Sequence, residues 1–326
     1  MMTAPAPFAE LPAAPAWDYG GLSYGLEPLT LPTAGLPLPQ HSAGQLGRAA
    51  PQVPRAWPSA ISRRIRAINS DGVAKEHLAR SEDPAELFGF RWITGHQVSF
   101  VLWVLMAQAL DDHAGGRIAP EELAETLPLY VRGYCAMLLY SGSCPTSVYE
   151  DVIRPSMRRQ HPGFSGSWAP DFRPVRQVFR GRDGLPEVLP DGRPLADALE
   201  LHRHVHESVA ARLVPGGVSL LRQSPTRHRN TRLLNLIYDN YFFTLRAPVS
   251  WPEVLTQLSR RLVAIAQDLT VNGIDGGFPH EEAPGPWQDA VAGCRARLEE
   301  TLAQIAIHAP AQIQARLQAA PAEWTA

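Results

Sequence analysis

His202, His204 and His206 fall within five positions in "LHRHVHESVA" (201–210), so any helix through this stretch carries three imidazoles close together. The pair His202 and His206 has the HxxxH spacing that puts two imidazoles one turn apart on one face, where they can share a metal ion. A zinc site needs a third ligand and usually a fourth, and no partner motif follows in the sequence. A heme iron asks less: one axial imidazole and an apolar slot for the macrocycle. A fourth histidine lies in "RWITGHQVSFVLWVLMAQAL", where His96 shares a helical face with Phe100, Trp103 and Ala107. An inward imidazole must find a partner. It is either a core histidine bonded to a backbone carbonyl or a desolvated acid/base whose ordinary pKa suits proton transfer near neutrality.

Stepping about 100° per residue puts His202 and His206 on the face of Leu195, Leu199, Val209 and Leu213. His204 falls instead near Asp197, Glu200 and Glu207. Periodicity alone therefore buries the outer two. Cys144 in "SGSCP" could be weighed as a thiolate ligand, but it sits among small residues before a proline and reads as a small buried residue near a helix start. Gly-rich nucleotide loops and the GxSxG elbow are missing, so nucleotide binding and serine hydrolysis have nothing to rest on.

The elements that must hold these histidines are helical. Apolar residues recur three and four apart from residue 59 onward, and the pattern predicts helices over 60–80, 93–110, 119–140, 145–159, 195–213, 230–246, 251–270 and 286–307, with no convincing strand. A long Gly/Pro/aromatic loop is expected over 161–194 and a second, polar loop over 272–286. Eleven of the 31 prolines lie in the first 58 residues. The chain thus divides into a Pro/Ala-rich leader (1–58), either disordered or wrapping the core, and one helical domain (59–326).

Composition narrows the function classes. With 326 residues and 45% hydrophobic content the chain can bury a large core, and a formal charge of -2 offers no footprint for nucleic acid. Cys135, Cys144 and Cys294 are odd in number and lack CxxC spacing, which points to a reducing, cytoplasmic setting. Neither an uninterrupted apolar run of transmembrane length nor a signal-peptide pattern is present, so no membrane partner is expected.

Four segments together resemble a known family: "FRWITGHQ" (90–97), "GYCAMLLYSGSCP" (133–145), "IRPSMRRQHPGFSGSWAPDFRPV" (153–175) and "LHRHVHESVAARLVP" (201–215). They look like the histidine-ligated heme-dependent L-tyrosine 3-hydroxylases of bacterial natural-product biosynthesis, a group related to tryptophan 2,3-dioxygenase. The resemblance spans about residues 60 to 270 and implies an all-α, tryptophan-dioxygenase-like heme domain with long ordered loops. It implies a peroxygenase that converts L-tyrosine, or a related aromatic amino acid, to L-DOPA with hydrogen peroxide in secondary metabolism, with a homodimer compatible. His96 matches the distal catalytic histidine, and one of His202, His204 and His206 the iron ligand. Relatives acting on methylated tyrosine carry His-x-x-x-Cys there, the cysteine holding the heme covalently. His204 is followed four residues later by Ser208, which ranks His204 first as metal ligand and His206 second, and implies a non-covalent heme b. A buried substrate carboxylate needs a cation, and Arg154, Arg158, Arg159 and Arg173 flank the aromatic loop, with Trp168 as a stacking surface. The alternatives are the same heme fold using dioxygen or acting on a substituted tyrosine or indole, and a helical zinc-binding interaction protein.

Overall fold

In a computed structural model of the chain, the structure describes residues 24–33, 81, 83–181, 184–224, 230–278 and 285–319. The helix expected over 60–80 and most of the leader lie outside the described residues.

The longest helix, α1 (Pro84–Ala114), begins with Asp83, whose side chain accepts from the Ala85 N–H at 2.8 Å, and with Pro84 in the first turn. That is a good helix start, because the aspartate satisfies an orphan donor and proline has no N–H to leave unpaired. α1 therefore starts well before the expected residue 93. By length and composition it could cross a membrane, but most of it is buried inside the protein. It packs along α2 (Pro120–Ser141), and α2 in turn packs along the helix that carries the histidine triplet, α5 (Arg193–Leu213). Gly133 lets α2 approach closely: a Cβ there would come within 2.5 Å of Ile305 and 3.1 Å of Leu102.

Between α2 and α5, a helical turn at Thr146–Val148 runs through a π-helical turn, Tyr149–Ile153, into α3 (Arg154–Gln160). The segment 161–194, expected as a loop, contains α4 (Phe172–Phe179), which sets Val175 and Val178 into the core, and a short turn at Leu185–Val188. Proline at the third position of α4 breaks nothing, because a first-turn N–H has no helical acceptor to lose. After α5 come α6 (Thr231–Tyr241), α7 (Trp251–Asn272), α8 (Gln288–Ala296) and α9 (Leu298–Ala319). The helix expected over 286–307 is thus two, broken at Arg297.

The all-α class holds, with one correction. Leu29–Leu31 (β1) and Thr244–Arg246 (β2) form a two-stranded parallel pair, Leu29 opposite Thr244 and Leu31 opposite Arg246. The helix expected over 230–246 therefore stops at Tyr241, where Phe243 takes a left-handed backbone (φ 50°) and turns the chain into β2. Residues 24–33 are held on the helical core by side chains of α7. Gln257 bonds both backbone groups of Thr30 at 2.7 and 3.0 Å, and Arg261 donates to the Glu27 carbonyl at 2.8 Å.

One polar knot crosses the core. Arg91 of α1 is fully buried; it makes a bidentate pair with Asp268 of α7 at 2.8 and 3.1 Å and donates to the Gly273 and Ile274 carbonyls and to Ser143. Tyr140 donates its hydroxyl to Asp268 at 2.7 Å. A buried charge is tolerable only with this many partners.

Candidate active site

His96 projects from the middle of α1 into a cage of rings. It stacks on Phe242 with centroids 4.5 Å apart and 21° between planes, and contacts Trp92 at 4.4 Å and Phe100 at 6.4 Å. Nδ1 lies 2.5 Å from the Trp92 carbonyl oxygen. Since a carbonyl only accepts, Nδ1 carries the proton and Nε2 of the neutral ring keeps its lone pair. Desolvation by the surrounding apolar groups pushes the pKa down to about 4, against a smaller upward pull from that carbonyl. His96 is thus both a core histidine bonded to a carbonyl and a neutral, desolvated imidazole able to accept a proton.

The shift has a consequence for folding. As pH falls from 6.5 towards 4, the unfolded chain takes up a proton that the folded chain refuses, so stability is complete above the ordinary histidine pKa and declines below it. His96 alone accounts for a loss of about 3 kcal/mol across that window. Denaturant midpoints measured from pH 7.5 to pH 4 should fall accordingly, and His96→Gln should flatten the decline; an equal slope in both proteins removes this reading.

In the triplet, His202 faces inward. Its ring stacks on Tyr134 at 5.2 Å, meets Phe179 at 4.6 Å and lies 6.0 Å from His206. Desolvation, helped by neighbouring His206, pulls its pKa down to about 3. His206 is more exposed and is shifted the same way by desolvation, with Glu207 opposing. Together with Phe179, Leu199 and Arg203 they border an open hollow of about 370 Å³. His204 does not line the hollow; it is half-buried, with its Nε2 3.1 Å from the Arg203 guanidinium. The packing follows the periodicity of the sequence for His202 but not for His206, which is exposed, while His204, ranked first on the strength of Ser208, stands outside the hollow's lining.

A larger cavity, about 780 Å³, is walled by Trp92, Ile93, Ile153, Tyr241, Phe243, the β2 strand and Leu26 and Pro28 just ahead of β1. Gly89, Trp92 and Ile93 are the cavity-facing stripe of α1, and His96 continues that stripe one turn deeper. Of the arginines expected to receive a carboxylate, Arg154 donates to the Val218 carbonyl at 3.1 Å and Arg158 and Arg173 are exposed, none of them lining either space. Trp168 is buried against His161 and Phe164. Arg159 does line the large cavity. Tyr241, hydroxyl-bonded to Ser156 at 2.8 Å, together with Asp239 and Arg246, are site groups outside the candidates named from the sequence.

Against this geometry the sequence can be compared with known families. Residues 38–197 match the model of the SfmD 3-methyl-L-tyrosine peroxygenase family. This is a heme-dependent, tyrosine-modifying peroxygenase family of natural-product biosynthesis, and it fits the resemblance drawn from the sequence. The match takes in His96 and the aromatic loop and ends at Asp197, before the histidine triplet. No curated protein matches the chain.

The heme that the peroxygenase family uses can be tested against these residues. The donors suit it: His202 is a neutral, desolvated imidazole on an aromatic wall. The spacing does not. A heme held between His96 and the triplet needs a slot separating the two imidazoles, and ring contacts fill that path, from His96 to Phe100, to Trp103 at 5.5 Å, to Tyr134 at 5.1 Å and on to His202. Among the described residues no three His, Cys, Asp or Glu side chains converge as a metal site, which leaves His202 and His206 without a third protein ligand for zinc.

Proposed function

We propose that this chain is a heme-dependent peroxygenase that hydroxylates L-tyrosine ortho to the phenol, giving L-DOPA. The observation that carries the reading is His96, a neutral imidazole with its Nε2 lone pair available, inside an aromatic cage within the segment that matches a tyrosine-modifying peroxygenase family. When bound, a histidine-held heme supplies the peroxide-derived oxidising power that no side chain here possesses. The chain's own contribution is a ring-lined, water-poor surrounding and a base: Nε2 of His96 accepts the phenol proton, making the ring electron-rich at the ortho carbon. Of the triplet, His202 has the most strongly desolvated ring, but the Phe100, Trp103 and Tyr134 rings occupy the space a macrocycle would need, so the heme in this reading rests on the matched family rather than on a slot beside His202. Ser208 supports non-covalent attachment, since a hydroxyl cannot form the thioether.

A second reading is favoured by the description of the matched family: 3-methyl-L-tyrosine in place of L-tyrosine. The deciding experiment has two stages. Protein reconstituted with heme is expected to show a Soret band and a b-type pyridine hemochrome, lost in His202→Ala and kept in His204→Ala. Product analysis with hydrogen peroxide then compares L-tyrosine, 3-methyl-L-tyrosine and an indole amino acid, with dioxygen plus a reductant as the control oxidant. Absence of heme binding ends the proposal; a c-type hemochrome ends the inference from Ser208.

A further inference from the structure

The large cavity carries an asymmetric set of charges. Arg246 is the central cation of a buried triad: it donates to Asp239 at 2.9 and 2.6 Å and to Asp171 at 2.8 and 2.8 Å. Both carboxylates are buried, and burial raises the Asp171 pKa while Arg246 opposes the rise. One guanidinium facing two carboxylates leaves the triad one negative charge in excess, and Asp239 and Arg246 line the cavity. Arg159, on the last turn of α3, lines the same cavity and has no carboxylate partner among the described residues. Asp239, Arg246 and Arg159 are the charged groups that line it. The remaining wall carries Ser156, Gln160, Asn240 and Thr244 but is mainly apolar and aromatic, with Trp92, Tyr241 and Phe243, the last on a left-handed backbone. Such a conformation is costly for a bulky residue and clusters at ligand-contacting positions.

We infer that this cavity recognises the charged end of a free aromatic amino acid: its carboxylate pairs with Arg159, its ammonium answers the uncompensated charge at Asp239, and its ring lies on Trp92 and Tyr241. The inference deepens the proposed function and rests on it for the substrate class. It separates three molecular features: a cation partner, an anion partner and an aromatic wall. A peptide-linked tyrosine, whose amino and carboxyl groups are amides, would satisfy only the last.

The test is calorimetric titration of the full chain, which needs no turnover. The ligands are L-tyrosine, tyramine (no carboxylate) and 3-(4-hydroxyphenyl)propanoate (no ammonium), applied to the unaltered protein, Arg159→Leu and Asp239→Asn. Arg159→Leu should weaken L-tyrosine and the propanoate by about tenfold and leave tyramine unchanged. Asp239→Asn should weaken L-tyrosine and tyramine similarly and spare the propanoate. Arg159 is exposed and its replacement leaves the buried triad intact, so that arm stands even if Asp239→Asn fails to fold. Equal affinity of Arg159→Leu and the unaltered protein for L-tyrosine overturns the inference, as does equal weakening of all three ligands. Charge-selective binding by a protein that takes up no heme would sink the proposed function and leave this recognition standing. Turnover of L-tyrosine with a KM unmoved by Arg159→Leu would do the reverse.

Discussion

His96→Ala is expected to slow the proposed hydroxylation by between about a hundredfold and ten-thousandfold, the range over which a positioned acid/base contributes. The effect should fall on kcat rather than on heme uptake, because His96 bonds to its own helix and stacks on Phe242 and Trp92 rather than sharing the hollow of His202. The neutral ring also sets the pH profile. With its pKa near 4, His96 stays in its accepting form throughout the neutral range, so the rate should not fall between pH 8 and pH 6 through protonation of this residue. His96→Gln fills similar space without a basic nitrogen and separates loss of packing from loss of the base. A rate for either variant within a few-fold of the unaltered enzyme, measured at saturating peroxide, would remove His96 from catalysis.

Arg91→Ala should destabilise the fold by about 3 to 5 kcal/mol, the usual cost of removing one member of a buried ion pair. The guanidinium is fully buried, and its loss strands the Asp268 carboxylate together with the Gly273 and Ile274 carbonyls at the end of α7. Arg91→Lys restores the charge but not the fork that reaches Asp268 and two carbonyls at once, so it should recover only part of the loss. Urea unfolding at pH 7.5 reads this directly. A decrease below about 1 kcal/mol would mean that Asp268 finds compensation from Tyr140 and Asn272, which also bond it.

Much of this architecture can be read from residue patterns. The long periodic runs that became α1, α2, α5 and α7 carry their apolar stripes openly, and His96 and His202 turned inward where a 100° step places them. What escaped is short or non-local. Three-residue strands such as Leu29–Leu31 are too brief to show alternation, and β1 exists only because Thr244–Arg246 arrives from far along the chain. α4 lies in a segment whose Gly and Pro content reads as loop, although Pro174 stands in a first turn and costs no hydrogen bond there. The Asp171, Asp239 and Arg246 triad joins residues of a loop, a helix and a strand, and no spacing rule links them. For the triplet, the analogy through Ser208 and the helical period point in opposite directions, and the packing of α5 turns His202 inward as the period expects while leaving His206 exposed and His204 half-buried.

The pairing of Leu29 with Thr244, locked by Arg246 donating to the Pro32 carbonyl at 3.2 Å, bears on the birth of the protein at the ribosome. Residues 24–33 emerge first yet have no strand to join until the chain has been made past residue 246. α1 and α2 can associate long before that, through near neighbours in sequence, whereas the wall of the large cavity can close only once residue 246 has been made. That wall is therefore assembled later in synthesis than the α1–α2 pairing.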